Sequence, residues 1–188
     1  MSKYFSKIIP LSIVAIITAT MLFSCERDTQ AIINLTKADT MPAMTVKNIR
    51  VTQSEKGMIT LELTAPLLRA FEGKDPYTEF PHGVHIVFFD SLMKPKSELT
   101  AGYGVSYDSR NVMEARNDVV IRNFNKREQL NTEKLTWDQN RRKVYTDEFV
   151  KITQVDKIVH GKGMESDELF DNWVIRNVTG TIYVSEKK

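Results

Sequence analysis

The chain has 188 residues, 41% of them hydrophobic and 27% charged, and a formal net charge of +2. Lys3 and Lys7 supply that excess, because 24 basic and 24 acidic residues lie beyond position 24; no basic stripe marks a nucleic-acid partner. Cys25 is the one cysteine, which excludes intrachain disulfides and a thiolate metal cluster, and the roughly 160 residues after it are enough for one core that needs no cross-link.

Residues 8–23 carry no charge, and no acid occurs before Glu26. A short basic head, an apolar middle and a small residue at its end describe a secretory signal peptide over residues 1–24. Leu22-Phe23-Ser24-Cys25 resembles a bacterial lipobox, although Phe23 is larger than the residue usual at that place. This reading makes Cys25 the acylated first residue of the mature chain. Stable lipid anchoring takes more than one acyl chain. The competing reading is an uncleaved N-terminal helix, for which the apolar run is short of the roughly twenty residues that span a bilayer. Either way the rest of the chain lies outside the cytoplasm. Residues 25–44 show little periodicity and read as a tether, and residues 45–188 as a single domain.

From there strand patterns run to the end. Residues 58–64, 84–88, 100–107, 143–146, 173–178 and 181–184 alternate apolar with polar. Leu67–Phe71 either continues a strand or makes a helical turn. Turn signals separate the runs at Glu72–Pro76, Asp108–Asn111, Asn125-Lys126 and Asp138–Arg141. A weak repeat of about thirty residues relates Tyr107-Asp108 to Trp137-Asp138. It also relates Asn117-Asp118 to Asp147-Glu148, both read here as polar turns between strands, and Asn177-Val178 lies another thirty residues on. The expectation is an all-β, elongated, twisted antiparallel roll whose ends leave unpaired strand edges.

Motifs for chemistry are scarce. His82 and His85 are three apart, so on a strand they face opposite sides and make no metal site. There is no phosphate-cradling glycine loop and no nucleophile elbow. Gly161-Lys162-Gly163 is too short to hold a phosphate and marks a bulge or a close backbone approach. No enzyme, metal or cofactor is expected.

A series of motifs resembles the LptC family of lipopolysaccharide-export components. They are Leu99-Thr100-Ala101 with Tyr107, Val112–Ile121, Leu130–Asp138, Val144–Ile152, Gly161–Met164 and Trp173–Gly180. Their order and spacing over residues 45–184 carry the resemblance. It implies a β-jellyroll open at both ends on the periplasmic side of the inner membrane. It also implies lipopolysaccharide as cargo, received from an inner-membrane ABC transporter and passed to a periplasmic bridge protein of the same fold. The departure is the lipobox, since many members keep an N-terminal helix. The alternative is a lipid-anchored β-sandwich module that binds protein or glycan at the cell envelope.

Apolar positions at period two give the candidate lipid groove: Leu61, Leu63, Ile86, Phe88, Val105, Tyr107, Val119, Ile121, Leu135, Trp137, Val150, Ile152, Trp173 and Ile175. The same alternation turns Thr136 outward beside inward Trp137. The first strands, about 46–54, would face the transporter. Thr179, Gly180, Thr181, Ile182, Tyr183 and Val184 would form the edge offered to the bridge protein.

Overall fold

The computed structural model describes residues 41–183, which fall within the unit Asp39–Lys188. Cys25, the signal and most of the tether lie outside the described residues, as does Val184. Alternating side chains over long runs force extended backbone, and eleven strands result: β1 Met44–Glu55, β2 Met58–Phe71, β3 Tyr77–Phe80, β4 Val84–Phe89, β5 Pro95–Ala101, β6 Tyr103–Tyr107, β7 Val112–Asn123, β8 Glu128–Asp138, β9 Lys143–Thr153, β10 Lys157–Asp167 and β11 Trp173–Tyr183. They make one antiparallel sheet that does not close into a barrel.

Its topology is a plain meander. β3 and β4 both pair with β2 on one side and with β6 and β5 on the other. They are one row interrupted at Pro81–Gly83. β5 and β6 are likewise one row interrupted at Gly102, and both lie against β7. Every row therefore pairs with its neighbours in sequence. The edges among the described residues are β1, which pairs with β2, and β11, which pairs with β10. Leu67–Phe71 continues β2 rather than turning helical. The turns fall at the expected Glu72–Pro76, Asp108–Asn111, Asn125-Lys126 and Asp138–Arg141 segments.

A line of backbone irregularities crosses the rows near their middles. Asn117 and Asp118 sit inside β7 at positive φ (65° and 53°), where the pairing with β8 shifts register. The Asn117 carbonyl accepts from Gly102 N at 2.8 Å. Further shifts lie between Thr132 and Thr136 of β8, between Lys162 and Met164 of β10 and between His160 and Gly161. Asn48 and Gly83 also take positive φ. Bulges bend the strand that carries them, and Asn and Gly accept left-handed backbone at low cost. This is a correction to the sequence reading: Asn117-Asp118 and Asp147-Glu148 are not turns but lie within β7 and β9. The thirty-residue repeat is the spacing of successive bends. Gly161-Lys162-Gly163 is a bulge, as its glycines indicated.

The bends fold the sheet over itself. Phe88 of β4 meets Trp137 of β8 edge to face, with centroids 5.4 Å apart, although the two strands share no ladder. Trp173 Nε1 at the start of β11 donates to Glu128 Oε2 at the start of β8 (2.9 Å). The rim carrying the turns at 139–142 and 168–172 thus closes on the rim carrying those at 56–57, 90–94 and 124–127. The core lies between the two layers.

Candidate functional site

The inner surface is the candidate site. Ten of the fourteen proposed groove residues are buried: Leu61, Ile86, Phe88, Val105, Val119, Ile121, Leu135, Val150, Ile152 and Ile175. All but Val105 belong to one apolar cluster, and Leu63, Trp137 and Trp173 pack against it half-buried. Each fully buried aliphatic side chain contributes about 1.5–3 kcal/mol, so this surface also holds the fold together. The alternation did not show Leu99, Met113, Leu130, Val144 and Met164 as site residues, yet they belong to the same cluster.

Val105 and Tyr107 are on the other face. The kink at Gly102 shifts the phase, so Gly104 turns inward; a Cβ there would meet Val84, Met113 and Phe80 side chains at 3.1–3.3 Å. Its neighbours then point out. Tyr107 packs on Tyr77 at 6.4 Å and lies under the Arg110 guanidinium, 4.0 Å from the ring centroid. Phase holds in β8: Thr136 pairs with Glu114 and Tyr145 on the outer face. It is nonetheless 9% exposed, because its neighbours crowd it.

The outer face is polar. Glu114 accepts from Arg116 Nη2 at 2.5 Å and pairs with Lys134 at 3.2 Å. Burial opposes its ionisation, but these two cations outweigh it and hold the carboxyl below its ordinary value. Glu98, between Arg122 (2.9 Å) and His85 (3.0 Å), is lowered against its burial in the same way. Tyr103 donates to Glu79 at 2.7 Å, and burial plus that carboxylate push its pKa up to about 12. His85 is thus a hydrogen-bond partner of Glu98 on a strand. Among the described residues, no group of three His, Cys, Asp or Glu is placed to hold a metal.

Where the two rims meet, a cavity of about 210 Å³ is lined by Gln53, Leu61, Phe88, Trp137, Arg142 and Leu169, among others. The Trp137 Nε1 is buried without a partner in the protein. Arg142 Nη2 pairs with Glu168 at 2.6 Å beside it. Next to the cavity, Phe170 in the β10–β11 loop is fully buried in the core. A loop residue has no period, so no sequence signal pointed to it.

The edges differ from the faces. Val174, Val178, Ile182 and Tyr183 of β11 are exposed, as are Met44 and Val51 of β1. Thr179 to Tyr183 fall in β11, paired on one side with β10. A Cβ at Gly180 would meet no atom within 4 Å, which leaves its backbone open to approach.

Among the described residues, then, the folded sheet is lined with apolar side chains and leaves β1 and β11 each paired on one side only. No curated protein matches the chain. The family model described as lipopolysaccharide-assembly, LptC-related, matches residues 11–182, a span that takes in all eleven strands to within one residue of the end of β11. With nearly the whole chain covered, the protein belongs to the LptC-related family of lipopolysaccharide assembly.

Proposed function

We propose that the chain is the membrane-anchored periplasmic component of a lipopolysaccharide export system. It accepts lipopolysaccharide from an inner-membrane ABC transporter and hands it along its apolar interior to a periplasmic bridge protein of the same fold. Family membership assigns the chain to lipopolysaccharide transport in the cell envelope. The observation that carries the finer reading is the continuous inner apolar surface running across all rows between two open edge strands. Burial of apolar area is worth about 25 cal/mol per Å², so an acyl chain leaves one such surface only for another that is contiguous with it. Strand addition at β1 or β11 supplies that contiguity through main-chain hydrogen bonds. Cys25 is proposed as the lipid-bearing anchor, and the lipid groove is proposed to comprise the inward positions named above without Val105 and Tyr107.

A photo-crosslinking residue at Leu135 or Ile152 in living cells should give a lipopolysaccharide adduct. The same residue at Lys151, exposed on β9, should give none. Adducts at neither inward position, or equal adducts at Lys151, would overturn the groove. The alternative of a closed β-sandwich module with surface ligands predicts that latter pattern.

A further inference from the structure

Between the two rims the interior is nearly full: the cavity there is about 210 Å³, smaller than the roughly 300–1,000 Å³ of sites that hold drug-sized ligands. The more open hollows of about 600 and 450 Å³ lie near the bends, beside Val119 and Val150 and beside Ala65 and Val84. An acyl chain therefore enters between the rims only if something leaves. The strands on either side of the cavity are held by ladders, and opening them unravels the sheet. The loop between β10 and β11, residues 168–172, belongs to no ladder. It nevertheless places Phe170 in the core with no exposed surface.

Side-chain contacts from the facing rim hold the loop there. Asn123 Nδ2, at the end of β7, donates to the Phe170 carbonyl (3.1 Å) and to Asp171 Oδ1 (3.2 Å). Lys96 Nζ of β5 pairs with Asp171 Oδ2 at 2.5 Å, and Lys126 Nζ donates to the Asp171 carbonyl. From its own side, Asp167 caps Asp171 N (2.7 Å) and Asn172 N (2.9 Å). Phe170 itself has φ 58°, a region bulky residues rarely take and that persists only where surroundings impose it. All the ties to the facing rim are polar and partly exposed except at Asn123, so they can break without a strand moving. Leu169 and Glu168 line the cavity beside Phe170.

We propose that residues 168–172 are a latch over the seam between the two rims, and that Phe170 holds the place of an acyl chain. Release of Asp171 from Lys96 and Asn123 withdraws Phe170, enlarges the cavity and admits the chain sideways through the seam, past Leu61, Phe88 and Trp137. This rests on the lipid-groove reading above.

The test uses the full chain in a Cys25→Ser background carrying Lys96→Cys and Asp171→Cys. A short bifunctional thiol reagent with a cleavable centre joins the two positions, and uptake of a long-chain fluorescent fatty acid is followed by stopped flow. The unlinked chain, having lost the ion pair, should take up the probe faster than wild type. Linking should slow uptake by about tenfold or more, as when binding waits on a rarely populated open state, and cleavage should restore it. Lys96→Gln, which leaves the core untouched, should also be faster than wild type. Equal uptake by linked and unlinked chains overturns the latch and leaves the groove standing. No uptake by any form, wild type included, overturns the groove and the latch with it.

Discussion

Ile152 has no exposed surface, so Ile152→Asp puts a carboxylate among aliphatic groups with no cation to pair it. The expected cost is more than about 3 kcal/mol out of a typical margin of about 5–15. Urea unfolding should show a large fall in midpoint for Ile152→Asp, and a change within about 0.5 kcal/mol for Lys151→Glu next to it. Equal effects would mean the phase of β9 is misassigned. Gly161 gives a sharper steric case. A Cβ there would lie 2.3 Å from Ile175 Cγ2 and 2.6 Å from the Asn177 carbonyl oxygen. Gly161→Ala must push β11 off its ladder, and about 1–3 kcal/mol of destabilisation is expected, while Gly180→Ala, in open space, should be close to neutral. Glu114 makes a pH-dependent contribution. Its folded pKa lies below the 4.5 of the unfolded chain. Its ionisation therefore favours folding above that pH, and the contribution is lost as the pH falls through the folded value. Glu114→Gln should flatten the stability profile below pH 4.5 relative to wild type; an unchanged acid limb in thermal melts would show that Arg116 and Lys134 do not stabilise the carboxylate.

At the scale of elements, strand faces were legible wherever alternation ran unbroken. Leu61 and Leu63, Ile86 and Phe88, Val150 and Ile152 all lie in or against the core because each pair sits within one unkinked half-row. Legibility failed where a bend intervened. Gly102 reversed the phase of β6 and sent Val105 and Tyr107 outward. Asn117-Asp118 imitated a turn because the residues that tolerate positive φ in a turn are the same ones that tolerate it in a bulge. Phe170 was invisible because its burial comes from side chains on a distant rim, not from any local pattern. The edges follow from composition more simply. β11 ends in exposed Val178, Ile182 and Tyr183, a combination that an unpaired strand keeps at the risk of sticking to other strands. Deleting residues 179–188 should abolish capture of the bridge protein while leaving association with the transporter intact. A truncated chain that keeps its β-sheet circular dichroism and still captures the bridge protein at wild-type yield would overturn pairing through this edge.

For the whole molecule, the proposed lipid anchor at Cys25 has a direct test. Intact mass of membrane-extracted protein should show loss of residues 1–24 and a diacylglyceryl-sized addition on Cys25. Recovery of an unmodified chain beginning at Met1 would overturn the lipoprotein reading and return the uncleaved helix. Because each row of the sheet pairs only with its neighbours in sequence, folding needs few pairings between distant parts of the chain, and hairpins can add one after another. The same plain order has a further result. Neighbouring strands are spaced by about 4.8 Å, so nine rows extend about 38 Å along the hydrogen bonds. One more hairpin would add about 10 Å and alter neither edge. The meander is in this sense a ruler: on the proposed reading, the distance over which a lipid is carried before a partner takes over is written in the number of rows, and a wider or narrower gap is met by gaining or losing hairpins while the end strands stay the same.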